Sequence, residues 1–353
     1  MPVVWSPTTR QHDPQHEVWV GVATPGTEVA ERVDAILAAV TEAGHPLVEA
    51  TAHPDDVLAG AHDPELLTFL AEATARWRQG PYADLVGQTR VVPYLFPTPA
   101  MTAGLPTRPA VAVHAEAGRF AYDTMTLVGP GTWEAARAAV DCAVTAAALV
   151  QAGDRHAYAL CRPPGHHATP AGFGGSCYLN NAAAAALALR RGSHDRVAVI
   201  DIDAHQGNGT AAIFYDRADV LYGSVHIDPA AGWFPHIVGY ADETGIGEGV
   251  GSTRNRPLPE GTADGPWLEA VAELADWVVA EGCSALVVSL GVDAAVDDPE
   301  SPLLITTDGY RSAGLILGGT DLPAVVVQEG GYHLPSLGGL VAAYLDGHCL
   351  ATG

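Results

Sequence analysis

Beyond residue 155, five short apolar runs each stop abruptly at polar residues, and this pattern restricts the possible folds more than any other. The runs are "HAYALCRPPGHH" (156–167), "RVAVIDIDAHQGNG" (196–209), "VLYGSVHIDP" (220–229), "SALVVSLGVDA" (284–294) and "PAVVVQEGGYH" (323–333). None alternates apolar with polar residues, so each suits a strand covered on both faces. Between them lie the helix-compatible stretches "YLNNAAAAALALRRG", "PWLEAVAELADWVVAEG" and "TTDGYRSAGLILGG", each closing near a glycine. Strands alternating with helices predict an α/β fold with a central, mostly parallel β-sheet flanked by helices on both faces. Ligands of such sheets bind outside the carboxyl ends of the strands. The polar residues at the five strand ends are therefore predicted to meet along one rim.

Upstream, "TEVAERVDAILAAVTEAG" reads as a helix with Val29, Val33, Ile36, Leu37 and Val40 on one face. A second helix is predicted in "GPGTWEAARAAVDCAVTAAALVQAG", starting near Thr132 as cap. Between them, residues 91–109 ("VVPYLFPTPAMTAGLPTRP") carry five prolines and predict a long loop. No repeat or low-complexity linker divides the chain, so one domain over 1–353 is expected.

Charge narrows the partners. A formal net charge of −24 repels a phosphate backbone, so no nucleic-acid partner is expected, whereas cationic small molecules are attracted. The five cysteines are odd in number and lack a CxxC pair, which argues against a disulfide framework and for a reducing compartment. The N-terminus has no basic segment followed by an apolar run, and no run approaches the roughly 18–20 residues that span a bilayer. A soluble cytoplasmic protein without a membrane partner is expected.

In "DIDAHQGNG", Asp201, Asp203 and His205 fall at i, i+2 and i+4, which on a strand places them on one face. Asp293 in "GVDA" ends another predicted strand. Asp203, His205 and Asp293 together would form an open three-ligand site of the kind catalytic zinc uses. His166 and His167 follow Pro163, Pro164 and Gly165, an irregular turn able to aim both rings into one pocket. With three ligands at hand, the pair is better used as bases beside the metal, with Asp201 and Asn208 as candidates to fix their tautomers.

These residues resemble the arginase/deacetylase superfamily in its deacetylase branch. The matching motifs are "RPPGHHA", "GGSCYLNNAA", "DIDAHQGNGT", "GVDA…DPE" and "EGGYH", with "HDPQHE", "ERVDAILAAV" and "AHDPELLTFL" upstream. The stretches "AYDTMTLVGPGTWEAARAAV" and "FPHIVGYADETG" are most similar to acetylpolyamine amidohydrolases and class II-type histone deacetylases. The resemblance implies a zinc-dependent deacetylase, with ferrous iron as the alternative metal. Asp203, His205 and Asp293 become the ligands. His166 is backed by Asp201 and His167 by Asn208, and Tyr332 donates a hydrogen bond to the transition state. His167 protonates the leaving amine while His166 assists electrostatically. A structural potassium ion is implied at main-chain oxygens of Asp201, Asp203, His205 and Val225, with the side chains of Asp201 and Ser224.

Arginase-type enzymes bind two metals through further carboxylates, which here are Gly207 and Ala295, so ureohydrolase activity is disfavoured. The substrate channel is expected to involve Gly175, Ser176, Phe234 and Glu300. Ser176 stands where many deacetylases place an aromatic wall, although a helix-capping serine is an equal reading. Glu300 stands where a polyamine-preferring deacetylase has an acidic gatekeeper, with a plain solvated acid as the alternative. His12, Glu17, His226 and His236 are read as structural. The expected substrate is a small acetylated amine such as an acetylpolyamine. The alternatives are acetyl-lysine in proteins and a catalytically silent binding protein. The 91–109 loop resembles a family insertion that joins subunits, implying a homodimer.

Overall fold

The computed structural model describes residues 1–351 apart from 83, 85 and 86. Its strands are β1 (Val3–Trp5), β2 (His16–Trp19), β3 (Val22–Pro25), β4 (Leu47–Glu49), β5 (His156–Ala159), β6 (Val197–Asp201), β7 (Val220–Ile227), β8 (Thr253–Leu258), β9 (Ala285–Leu290) and β10 (Ala324–Gln328). The longer helices are α1 (Glu31–Glu42), α2 (Pro64–Gln79), α3 (Val113–Phe120), α4 (Thr132–Gln151), α5 (Asn181–Arg191), α6 (Asn208–Phe214), α7 (Asp264–Ala280), α8 (Thr307–Gly318) and α9 (Leu334–Leu350). All five apolar runs supply strands. The 91–109 segment is largely irregular, as its prolines require, with one helical turn at Pro99–Thr102.

Eight strands form one sheet in the order β4-β1-β5-β10-β9-β6-β7-β8, and each neighbouring pair is parallel. Strands β2 and β3 form a separate antiparallel hairpin. Side chains alternate between two cores. Ala198 and Ile200 belong to the core that includes residues of α1, α7, α8 and α9, whereas Val197 and Val199 belong to the core that includes residues of α4, α5 and α6. The second core is rich in alanine, including Ala139, Ala143, Ala182 and Ala186, so α4 and α5 lie close against the sheet. The order places the carboxyl ends of β5, β10, β9 and β6 side by side.

Two local expectations are corrected. The cap of α4 is Gly131 (φ 80°), and Thr132 is already helical. The Thr132 hydroxyl instead accepts the Gly129 N–H (2.9 Å) and meets His12 Nδ1 (3.0 Å). In addition, β6 ends at Asp201, so Asp203 and His205 lie past the strand. A shared strand face therefore does not bring them together; the turn after the strand does.

His62 ties the segment before α2 to the loop that carries the histidine pair. Its Nδ1–H donates to the Thr169 carbonyl (3.0 Å), and its Nε2 accepts the Asn180 N–H (2.8 Å). Only a neutral ring satisfies both contacts, and burial holds its pKa down at about 4, against a smaller opposing effect of the Thr169 carbonyl. Below pH ~6.5 the unfolded chain binds a proton that the native ring refuses. Stability conferred by this site is thus complete above pH ~6.5 and lost as pH falls toward 4, by roughly 3 kcal/mol. Denaturant midpoints measured across this window should fall less steeply in His62→Gln. An unchanged slope would remove His62 from the acid limb.

Candidate active site

The first group is built on the turn after β5. Pro163, Pro164 and Gly165 prevent regular structure, and the His166 and His167 rings come within 3.9 Å, centroid to centroid. His166 Nδ1 is 3.0 Å from Asp201 Oδ2, and His167 Nδ1 is 2.7 Å from Asn208 Oδ1, the pairing the resemblance implied. Asn208 Oδ1 is an acceptor, so Nδ1 of His167 carries the proton and its Nε2 carries the lone pair. The His167 carbonyl accepts the Tyr122 hydroxyl (2.7 Å). Burial disfavours a charged ring at both histidines. At His166 the charges of Asp203 and Asp201 outweigh it and lift the pKa to about 10. At His167 burial prevails, aided by the charge on His166, and holds the pKa well below its usual value. The pair is divided into a proton-holding and a proton-free member, the arrangement that proton transfer uses.

Asp203, His205 and Asp293 converge as expected, with one donor atom of each lying within 4.8 Å of the others. His205 Nδ1 is 3.3 Å from Asp203 Oδ1 and 3.1 Å from Asp293 Oδ2. Main-chain N–H groups orient both acids. His205 and Gly330 donate to Asp203 (2.9 Å each), and Ala204 donates to Asp293 (2.8 Å). Glycines make room: a Cβ at Gly291 would overlap Asp203 Oδ2, and one at Gly330 would lie 2.6 Å from that atom. Burial disfavours a charged ring at His205, yet the two carboxylates outweigh it and hold its pKa well above the ordinary value. Burial, together with the charge of Asp203, pushes Asp293 up to about 7. Two buried acids facing one imidazole nitrogen call for positive charge, and an oxygen- and nitrogen-binding divalent cation supplies it. The donor set therefore fits such an ion.

A second carboxylate for a dinuclear site has no room. A Cβ at Gly207 would collide with the Asp201 carboxylate and lie 2.8 Å from the Tyr222 hydroxyl, and Ala295 is buried. At the position of the expected potassium site, Ser224 pairs with Asp201 in register, and Val225 follows on β7. The Ser224 hydroxyl contacts His226 Nδ1 at 2.7 Å.

A cleft of about 520 Å³ opens over these groups. His167, His205 and Tyr332 line it together with Gly175, Ser176 and Phe234, and Glu17, Asp123 and Glu300 supply three carboxylates. Phe234 stands edge-on to His167 (4.7 Å). Gly175 has φ 55°, and a Cβ there would lie 2.9 Å from Phe234. Ser176 also has positive φ (61°), and the helix cap belongs to Asn180, so Ser176 is cleft wall. Glu300 Oε1 accepts the Thr27 hydroxyl (3.1 Å). Tyr332 is fixed from behind by the Arg32 guanidinium, 5.0 Å from its ring centre. Burial raises the phenol pKa well above 10, so the hydroxyl keeps its proton.

Glu17 and His236, read as structural from the sequence, both line the cleft. Burial, and next the charge of Glu300, push Glu17 up to about 7. The motif "HDPQHE" marked this residue but not its place in the cleft, because the hairpin that carries it there has no strong strand signal. Glu329 was also missed. Its Oε2 accepts the N–H groups of Gly165 (2.6 Å) and His166 (3.1 Å), holding the histidine turn. The available signal was an acid placed directly after the buried run "VVVQ".

A parallel sheet with this constellation at its carboxyl edge defines a recognisable class: the histone deacetylase domain matches residues 26–348, and the chain belongs to that family. Within it, the acetylpolyamine amidohydrolase of Mycoplana ramosa is 39% identical over 348 residues, covering 98% of this chain and 99% of that one. The acetylpolyamine amidohydrolase of Burkholderia pseudomallei (strain 1710b) is 41% identical over 324 residues, 91% and 90% of the two chains. A crystal structure of acetylpolyamine aminohydrolase from Burkholderia pseudomallei superposes with a TM-score of 0.92 at 38% identity, covering 99% of each chain.

Proposed function

We propose that the chain hydrolyses the amide bond of small cationic acetyl-amines, acetylpolyamines foremost, in a metal-dependent reaction. One observation carries this reading: the groups suited to amide hydrolysis, His167, His205 and Tyr332, share a cleft with the carboxylates Glu17, Asp123 and Glu300. A substrate ammonium is drawn to those acids while its acetyl end reaches the histidines. The names of the near-full-length relatives support the same substrate class.

Asp203, His205 and Asp293 would hold zinc, or ferrous iron, which fits the same donors. That ion supplies Lewis acidity to the acetyl carbonyl and acidifies water. The Tyr332 hydroxyl donates a hydrogen bond to the carbonyl oxygen as negative charge develops there. Nε2 of His167 accepts a proton from the attacking water and delivers it to the departing nitrogen, so acetate and a free amine result. His166, anchored by Asp201, adds positive charge beside it. The potassium site at Asp201, Asp203, His205, Ser224 and Val225 remains part of this proposal, supported by the register of Asp201 and Ser224.

The proline-rich segment exposes Tyr94 (78%), Met101 (59%) and Leu105 (70%), and Val111 (94%) just after it adds to an apolar surface that suits a second copy of the chain. Sedimentation should report a dimer that Leu105→Asp weakens. Cys142, Cys161, Cys177 and Cys283 are buried free thiols, which suits a reducing cytoplasmic setting.

The deciding assay compares metal-loaded protein on acetylated diamines and polyamines with an acetyl-lysine peptide. Glu300→Leu should lower kcat/KM for the cationic substrates roughly fivefold while sparing a neutral acetyl-amine. Faster turnover of the peptide would favour protein deacetylation, and no turnover of any substrate would leave only a binding role.

A further inference from the structure

Asp298 lies on the loop after β9, five residues beyond Asp293 and nearly buried at 7% exposure. Its Oδ1 accepts the N–H of Glu300 (3.0 Å), an ordinary local turn. Its Oδ2 does something a turn does not require. It reaches the loop after β10 and accepts the N–H groups of both Tyr332 (2.7 Å) and His333 (3.1 Å). Alongside, the Asp297 carboxylate pairs with the His333 ring (3.0 Å), and Val292 N–H donates to the Gly330 carbonyl (3.0 Å). The two loops are thus joined at three points, and one side chain connects the backbone of the cleft acid to that of the phenol.

We propose that Asp298 is a positioning residue that holds Glu300 and Tyr332 at a fixed separation, so that the cleft selects substrates by the distance between ammonium and acetyl group. This rests on the roles given above to Glu300 and Tyr332. The side chains at both ends are restrained too, Glu300 by the Thr27 hydroxyl and Tyr332 by Arg32. A carboxylate suits the task because it offers an acceptor on each side. An asparagine has a single acceptor oxygen and turns its NH2 group against one set of N–H donors. If the oxygen stays with the two donors at Tyr332 and His333, the Glu300 side is released.

The test is steady-state kinetics of Asp298→Asn on a homologous series of monoacetyl diamines, beside Glu300→Leu, Tyr332→Phe and the two double variants. Asp298→Asn should lower kcat/KM for the preferred chain length about fivefold, as loss of the Glu300 carboxylate does, with any further loss falling on kcat through Tyr332, and flatten the preference across the series. In the Glu300→Leu background it should cause no further flattening. In the Tyr332→Phe background its effect on kcat should shrink, as coupled positions require. An unchanged preference, or an equal loss for every substrate that adds fully to both partner variants, overturns the proposal. Melting temperatures accompany each variant, and the preference within one variant's own series is independent of how much protein is folded. Failure of the underlying reading registers separately, in the Glu300→Leu and Tyr332→Phe single variants.

Discussion

Tyr332→Phe is expected to lower kcat about 100- to 1,000-fold, with little change in KM and full retention of the metal. The substitution removes one hydroxyl from a half-buried ring that lines the cleft and leaves intact the backbone contacts that position it. The Tyr332 N–H still donates to Asp298, and the ring still packs beneath Arg32. Because the phenol pKa lies well above 10, the hydroxyl is a proton donor throughout the neutral range. Its contribution should grow only as charge gathers on the substrate oxygen, which places the loss in kcat. Wild-type turnover by Tyr332→Phe would dismiss the residue from the chemistry.

Gly330→Ala should be nearly as damaging by a different route. The added methyl would crowd the Asp293 carboxylate and lie 2.6 Å from Asp203 Oδ2. Backbone retreat is blocked, since Gly330 N–H donates to Asp203 and its carbonyl accepts Val292 N–H. Two of the three proposed ligands must therefore move. We expect metal affinity to fall at least about 100-fold and amide hydrolysis to fall with it. Elemental analysis after dialysis reads the first effect, and chelation of the wild-type protein followed by zinc repletion gives the reference for the second. Stoichiometric metal in the variant would mean that the ion sits elsewhere.

The most legible parts of the sequence were those under the strongest physical constraint. Buried parallel strands must be continuously apolar, so β5, β6, β7, β9 and β10 were visible, and their polar ends led to Asp203, His205, Asp293 and the histidine pair. The edge strand β8 reads "TRNRPL" and carries no such signal. Helix α9 was hidden by its glycines, which the sequence presents as helix-weakening. In the folded chain they permit close approach: a Cβ at Gly338 would collide with the Ala35 carbonyl on α1, and one at Gly347 with the Arg311 carbonyl on α8. The pairing of His166 with Asp201 and of His167 with Asn208 came from family resemblance, since no spacing rule connects residues 35 and 41 positions apart. Asp298 and Glu329 were missed, and Glu17 was read only as structural, because their roles depend on contacts with distant loops.

Ser176 offers a route to redesign. A residue with a side chain already occupies the left-handed backbone there, at φ 61°, so the steric penalty of roughly 1–2 kcal/mol for a Cβ in that conformation is present in the native protein. Enlarging the side chain beyond Cβ would chiefly test how much room the cleft has. A small library at this position, built on a residue that lines the cleft, would therefore measure how side-chain bulk there bears on the width of amine accepted, with the groups beneath left as they are.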